Sequence, residues 1–196
     1  AGKTVVMLVG AKAVHALFAV ADTIKDSSRT AIAELHALGI NTMMLTGDNP
    51  NTAQAIAAQA GIDRAQGNLL PDDKLREVEQ LARSGKVGMA GDGINDAPAL
   101  ARADVGFAMG AAGTDTAIET ADVALMDDNL RKIPTFVRLS RATAQVLMQN
   151  IVLALGIKAV FLVLTFTGQA TMWMAVFADM GASLLVVGNG LRLLRK

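Results

Sequence analysis

The sequence predicts an α/β domain with a mostly parallel sheet, followed by two apolar helices long enough to cross a membrane. Three observations lead to this prediction. Short apolar segments alternate with helical segments over residues 1–130, 52% of the chain is hydrophobic, and two long apolar runs occupy residues 151–196. Alternating strands and helices are typical of parallel sheets covered by helices on both faces. An apolar run of about 20 residues spans a bilayer as a helix.

Composition excludes several classes of protein. Residues 1–150 carry 14 basic and 17 acidic side chains, whereas residues 151–196 carry four basic and one acidic, so a net charge of zero conceals a polar part and an apolar part. The polar part has no basic excess, and we therefore expect no nucleic-acid partner. The chain has no cysteine, which leaves only oxygen or imidazole ligands for a metal.

Glycine and proline delimit the predicted elements of the first 130 residues. Gly39 and Gly61 follow segments of helical periodicity, as residues after helix C-termini do, and Pro50 and Pro71 suit first turns. In chain order, the elements are a β-hairpin of residues 4–9 and 16–21, a helix at 26–38, a strand at 40–45, helices at 50–60 and 71–84, a strand at 86–90, a helix at 97–103, a strand at 105–109, a helix at 115–121 and a strand at 123–126.

The remaining residues predict a membrane hairpin. Residues 133–150 form an amphipathic helix that becomes apolar toward its end, and residues 151–167 and 172–191 are each long enough to span the hydrocarbon core. Basic residues flank the pair on both sides, which places both ends in the cytoplasm by the positive-inside rule. We therefore expect a polar domain at 1–130, an amphipathic connecting helix at 131–150, and two transmembrane helices at 151–196 with a cytoplasmic C-terminus.

The most informative motif is Gly91-Asp92-Gly93-Ile94-Asn95-Asp96, which lies between a short apolar strand and a helix. Its two carboxylates, flanked by glycines that allow close backbone approach, suit Mg²⁺ held through oxygens with a phosphate as a further ligand. The alternative is an acidic turn that caps the helix, which accounts for one aspartate but poorly for the rest of the motif.

A second motif, Thr46-Gly47-Asp48, follows the strand at 40–45. A hydroxyl, an exposed glycine N–H and a helix N-terminus together offer ligands for phosphoryl oxygens, although a helix N-cap with a turn glycine explains the same residues. Lys74, near the start of the helix at 71–84, could bring an ammonium to that phosphate or could simply be solvated. The order of the three motifs favours one phosphate site.

These motifs resemble the phosphorylation domain of the P-type cation-transporting ATPases, which have the haloacid-dehalogenase-like, Rossmann-type fold. The resemblance implies that Asp92 is a Mg²⁺ ligand and that Asp96, with Asn95, completes the Mg²⁺ and phosphate site. It also implies that Thr46 and Gly47 bind the phosphoryl group.

By the same resemblance, Lys74 stabilises the charge of the phosphoryl group and Asp48 belongs to the domain-closure and nucleotide region. The family's phosphorylated aspartate lies in an Asp-Lys-Thr-Gly motif on the first strand of the fold, and this sequence has no such motif. It also lacks the Thr-Gly-Glu loop of the actuator domain and the histidine motif of the nucleotide domain. The resemblance thus implies an incomplete domain, whose partners are the missing N-terminal part of the same pump, with its actuator and nucleotide domains and other transmembrane helices, and the lipid bilayer.

Asp179 lies within the second apolar run and is costly in lipid, which makes it a candidate functional residue. Lys158, at comparable depth in the first run, is its expected partner. Either the two form a structural ion pair that fixes helix register, or the carboxylate binds a divalent cation and the ammonium is its counter-charge. Their surroundings resemble the zinc/cadmium/lead branch of the P-type ATPases, and a carboxylate suits Zn²⁺ better than Cu⁺.

The resemblance implies that the chain is the C-terminal part of an ATP-driven heavy-metal exporter of the plasma membrane. Its cofactor would be Mg²⁺, its substrate ATP, and its transported ion Zn²⁺, Cd²⁺ or Pb²⁺; alone, the chain is expected to be inactive. One alternative is a membrane-tethered phosphatase of the dehalogenase fold, but that needs an aspartate at the end of the first strand, where Val9 and Gly10 stand. The other is a non-catalytic binding or regulatory chain.

Overall fold

The computed structural model describes residues 4–10, 13–20, 24–91, 94–110, 119–127 and 129–195. The chain divides into two compact units, Ala1–Pro134 and Thr135–Lys196. We call them the polar unit and the membrane unit and describe each by itself.

The strands of the polar unit form one antiparallel hairpin and two parallel sheets. They are β1 (Thr4–Val9), β2 (Val14–Val20), β3 (Met43–Leu45), β4 (Arg64–Gln66), β5 (Gly88–Gly91), β6 (Val105–Met109) and β7 (Val123–Leu125). The hairpin is β1-β2, β3 pairs with β4, and the third sheet has the order β5-β6-β7. The predicted parallel pairing is confirmed, but within the described residues β3 pairs only with β4 and β5 only with β6, so the parallel strands lie in two sheets instead of one.

Six helices complete the described chain. They are α1 (Asp26–Ala37), α2 (Pro50–Ala60), α3 (Pro71–Ser84), α4 (Ala97–Arg102), α5 (Lys132–Phe166) and α6 (Met172–Leu191), with 3-10 turns at Ile94–Asp96 and Arg192–Arg195. Pro50 and Pro71 begin their helices as predicted, and Gly61 ends α2 in the left-handed region with φ 78°. The predicted helix at 115–121 falls largely on residues 111–118, outside the described residues.

The core of the polar unit packs α4 against the third sheet. Leu100 of α4 is 1% exposed and lies against Ala108 of β6, with Met89 of β5 beside them. Gly106 is required there, because a β-carbon on it would stand 2.8 Å from the carbonyl oxygen of Leu100. This packing holds the end of β5 and the start of α4 on either side of the loop that carries Asp96.

The membrane unit contains most of α5 and all of α6, joined by a short turn in which Gly168 has φ 72°. Both helices are long and apolar enough to cross a membrane. α5 is one helix of 35 residues, which runs without interruption from Lys132 through the expected connecting segment into the apolar run. At about 1.5 Å per residue, α5 is longer than the roughly 30 Å thickness of a hydrocarbon core. Its basic first part can therefore lie outside that core.

Candidate phosphate site and membrane carboxylate

The centre of the candidate site in the polar unit is an ion pair between Lys74 and Asp96. The Nζ atom of Lys74 lies 2.7 Å from Oδ1 of Asp96, and the two side chains are 16% and 13% exposed. Lys74 stands in the first turn of α3, and Asp96 ends the 3-10 turn that follows β5. Since removing either charge would leave the other nearly buried without its partner, the pair fixes the start of α3 to the end of the third sheet.

Gly91, the first glycine of the Gly-Asp-Gly motif, makes room for this carboxylate. A β-carbon at position 91 would lie 2.8 Å from Cβ and 3.0 Å from Oδ2 of Asp96. Only glycine therefore lets Asp96 fold back against the end of β5. The Asn95 side chain is exposed, and Asp92 lies outside the described residues, so its predicted role stays a prediction.

The Thr46-Gly47-Asp48 segment forms a tight turn at the end of β3. The Thr46 hydroxyl donates to Oδ2 of Asp48 at 3.0 Å and accepts the Asp48 N–H at 3.2 Å. The side chain of Asn49, and not of the preceding three residues, caps α2 by accepting the Thr52 N–H at 2.9 Å. The N-cap alternative thus accounts for Asn49 and leaves Gly47 and Asp48 as exposed residues of a loop.

The segment after β4 holds this turn in place, and sequence reasoning missed it. The N–H of Asn68 donates to the Asp48 carbonyl at 2.6 Å, and the N–H of Leu69 donates to the Thr46 carbonyl at 3.1 Å. A β-carbon on Gly67 would stand 2.6 Å from the Asp48 carbonyl oxygen. Asn68 adopts φ 57°, and the Gly-Asn pair was a local signal for such a turn.

The start of α3 follows directly from that segment. The carboxylate of Asp73 accepts the Leu70 N–H at 3.0 Å and also bonds Arg76. The Leu70 N–H, and secondarily Arg76, hold the pKa of Asp73 below its ordinary value. The carboxylate therefore stays ionised at the helix N-terminus, where negative charge is favourable, and the first turn that carries Lys74 is stabilised. Hydrogen bonds thus join the Thr46 turn to the segment 67–70 and that segment to the first turn of α3, and an ion pair joins Lys74 of α3 to Asp96.

The two ionisable residues of the membrane unit are arranged differently. Asp179 and Lys158 are both exposed, and the ion pairs found in the described part of this unit include none between them. The expected contact is therefore not made within the described hairpin, where both side chains are exposed. No group of three potential metal-ligating His, Asp or Glu side chains is found among the described residues.

Comparison with known proteins identifies the family of this chain. Residues 1–104 match the family model of the haloacid dehalogenase-like hydrolases, and the chain belongs to that family. Sequence relatives identify a narrower group than the family model does. The chain is 55% identical over 99% of its length to a probable cadmium-transporting ATPase of Listeria monocytogenes, and 48% identical over 100% of its length to a zinc/cadmium/lead-transporting P-type ATPase of Escherichia coli strain K12.

A solved structure agrees with these sequence matches. A zinc-transporting PIB-type ATPase in the E2.Pi state superposes with a TM-score of 0.90 and 47% identity, covering 98% of this chain and 32% of that one. The resemblance to heavy-metal P-type ATPases and the predicted fold class are therefore confirmed. The chain spans only about a quarter of the length of the curated relatives, 28% and 26% for the two above.

Proposed function

We propose that this chain is the C-terminal part of a pump that exports Zn²⁺, Cd²⁺ or Pb²⁺ from the cytoplasm, driven by ATP hydrolysis. The observation that carries the proposal is the nearly buried Lys74–Asp96 pair, held by bonded segments next to the Thr46 turn. It stands in a chain whose matches along nearly its whole length are proteins named as cadmium and zinc transporters. Motif order, local geometry and relatives support the same chemistry.

In this proposal, the polar unit supplies the electrostatic side of phosphoryl transfer. The Thr46 hydroxyl and the Gly47 N–H bind phosphoryl oxygens, and the Lys74 ammonium stabilises their charge. Asp96 orients that ammonium through a 2.7 Å contact, so the positive charge is in position before a phosphate arrives, and such preorganisation is the main source of electrostatic catalysis. Asp48, exposed at the tip of the turn, acts in domain closure over the nucleotide.

The donor chemistry of the same site suits Mg²⁺. Asp96 uses Oδ1 for Lys74, and in this proposal its other oxygen, the Asp92 carboxylate and a phosphate oxygen would hold Mg²⁺, which commonly binds one or two carboxylates and substrate phosphates. Asn95 supports this set from the neighbouring position. When bound, Mg²⁺ would neutralise charge on the transferring phosphoryl group.

The unpaired edges of the two parallel sheets support a partner, namely the remainder of the same pump. Among the described residues β3 and β5 each leave one edge unpaired, and they end at Leu45, directly before Thr46, and at Gly91, the first residue of the Gly-Asp-Gly motif. A strand carrying the phosphorylated aspartate would pair there and deliver its carboxylate to that site. An open apolar edge otherwise promotes association. The remainder would also contribute the actuator and nucleotide domains and the other transmembrane helices.

The membrane unit contributes part of the cation site. Asp179, which makes no ion pair with Lys158 in the hairpin, offers a carboxylate to a divalent cation within the bilayer, where a charge needs a partner. Oxygen ligands are acceptable to Zn²⁺. Lys158 serves as the counter-charge when the cation leaves. The basic residues that flank the hairpin support a plasma-membrane protein whose polar unit is cytoplasmic.

The test is Zn²⁺-stimulated ATP hydrolysis in lipid vesicles by the chain alone and by the chain mixed with the remainder of the pump. We expect no turnover alone and turnover in the mixture, lost in Asp179→Ala. Ser183→Ala is the matched control, because its hydroxyl only bonds the Asp179 carbonyl one turn away. Hydrolysis of a phosphomonoester by the chain alone would favour the phosphatase alternative, and a mixture indifferent to Asp179→Ala would contradict the proposed cation site.

A further inference from the structure

We propose that Asn189 is a positioning residue that fixes the register of α6 against α5 and thereby sets the depth of Asp179 and Lys158. The statement about register stands on the contacts of the hairpin alone. Its consequence for the transported cation rests on the proposed function.

Asn189 joins the two helices through a cluster of amides. Its Nδ2 donates to Oδ1 of Asn150 at 2.9 Å and to Oε1 of Gln149 at 3.3 Å, and its Oδ1 accepts from Nη1 of Arg192 at 3.0 Å. We call these four residues the polar junction. Polar side chains that hydrogen-bond across helices hold membrane helices together, because an apolar neighbour offers them no alternative partner. Two of the three partners of Asn189 lie on α5, so this side chain resists sliding of one helix along the other.

The packing of the two helices agrees with this register. The less exposed residues of each helix recur three and four positions apart, which is the spacing of one helix face. Starting from the junction, the antiparallel levels pair Asn150 with Asn189, Ile157 with Ala182, and Phe161 with Ala178, all of them half-buried or buried. Ala182, at 6% exposed, is the one buried residue of α6. The burial pattern thus identifies the facing sides of the two helices, and the hydrogen bonds of the junction select this register over a slip of one turn.

The register determines where the two ionisable groups stand. Asp179 is ten residues from Asn189, or about 15 Å along α6, and Lys158 is eight residues from Asn150, or about 12 Å along α5. At about 100° per residue, both side chains are turned roughly 80° away from the interface, toward the same side of the hairpin. They therefore share one face of the hairpin at nearly one depth, without lying between the helices.

Engineered cysteines test the register directly, because the chain has none of its own. Ile157→Cys with Ala182→Cys reports the proposed register, and Ile157→Cys with Val186→Cys reports a slip of one turn. Each pair is oxidised with diamide in lipid vesicles. The preference is the ratio of the cross-linked fraction of the first pair to that of the second. We expect this ratio to be well above one, and we expect Asn189→Leu to lower it by about threefold to twentyfold, which corresponds to the strength of interhelical amide hydrogen bonds in membranes. Asn189→Asp should preserve the preference, because a carboxylate accepts from Arg192 and from a reoriented Asn150 amide.

An unchanged preference in Asn189→Leu would overturn the positioning role. Zn²⁺ affinity of the chain mixed with the remainder of the pump, measured by competition with a chromophoric chelator, separates this result from the proposed function. If Zn²⁺ fails to bind while Asn189→Leu loosens the register, the proposed function fails and the positioning role stands. If Zn²⁺ binds normally and Asn189→Leu does not change the cross-linking preference, the positioning role is wrong and the proposed function stands.

Discussion

The polar unit and the membrane unit each contain a lysine and an aspartate at nearly the same separation in sequence, yet only one pair forms. Lys74 and Asp96 are 22 residues apart and lie 2.7 Å from one another, both mostly buried. Lys158 and Asp179 are 21 residues apart and both exposed on the outside of a helical hairpin. Sequence separation and opposite charge therefore do not decide whether an ion pair exists.

The difference lies in what surrounds each pair. In the polar unit, the lack of a β-carbon at Gly91 leaves space for Asp96. The segment 67–70, which is bonded to the Thr46 turn, leads directly into α3, whose first turn contains Lys74. The hairpin has only two helices, and their register turns both charged groups away from the interface. Contacts within the polar unit thus hold Lys74 against Asp96, whereas Lys158 and Asp179 form no ion pair with each other in the described hairpin.

The largest effect is expected from Lys74→Ala in the polar unit. It leaves the carboxylate of Asp96, only 13% exposed, without its partner, which should destabilise the segments around β5 by about 3 kcal/mol. Hydrogen exchange of amides in β5 and β6 of the full chain in detergent measures the loss. Lys86→Ala is the matched control, because Lys86 is 91% exposed in its pair with Asp104. Equal losses of stability in the two variants would show that the nearly buried Lys74–Asp96 pair stabilises the fold no more than an exposed ion pair does.

A smaller effect is expected from Gly67→Ala, which tests whether the segment after β4 stabilises the Thr46 turn. A β-carbon there meets backbone atoms of Asp48 and Pro50 at 2.6 to 2.8 Å, so unfolding should become easier by about 1–3 kcal/mol, the usual cost of overpacking. Gly85→Ala should change little, because nothing lies within 4 Å and its backbone is extended. Thermal unfolding followed by circular dichroism compares them. A Gly67 variant as stable as the Gly85 variant would contradict the role given to this segment.

A pH-dependent contribution comes from Asp63 of the polar unit. The backbone N–H of Thr42 above all, then its hydroxyl and His36, hold the pKa of Asp63 below its ordinary value. A carboxyl whose folded pKa is depressed stabilises the fold above its unfolded pKa of about 4, and that stability is lost as pH falls through the folded pKa. Asp63→Asn should therefore lower stability at pH 7 and flatten its decline between pH 5 and pH 2. Unfolding midpoints across that range measure both, and an unaltered acid decline would be the contrary result.

The smallest effect is expected from Lys158→Met in the membrane unit. Lys158 is exposed and makes no ion pair with Asp179 in the described hairpin, so the packing of α5 against α6 should not weaken. Fluorescence of Trp173, the chain's one tryptophan, during titration with a denaturing detergent reports that packing. A marked loss of stability would mean that Lys158 has a partner within the hairpin, and the contrast with Lys74 would disappear.

Local patterns predicted the order of strands and helices, the helix starts at Pro50 and Pro71, and the helical hairpin. They missed the short strand β4 and the contacts of residues 67–69 with the Thr46 turn, because those depend on where a distant strand ends. The sequence placed Lys74 and Asp96 at one phosphate site but did not predict that the two side chains pair with each other. Their contact joins residues of two different elements, and no periodicity or turn signal encodes such a contact.

We propose that this chain supplies the phosphate-binding side of a phosphoryl-transfer site and that the remainder of the pump supplies the nucleophile. Transfer of radioactive γ-phosphate from ATP to an acid-stable phosphoprotein, with the two polypeptides separated afterwards, tests this proposal. We expect no label on this chain alone and, in the mixture, label only on the other polypeptide, lost with Lys74→Ala. Label on this chain, alone or mixed, would contradict it.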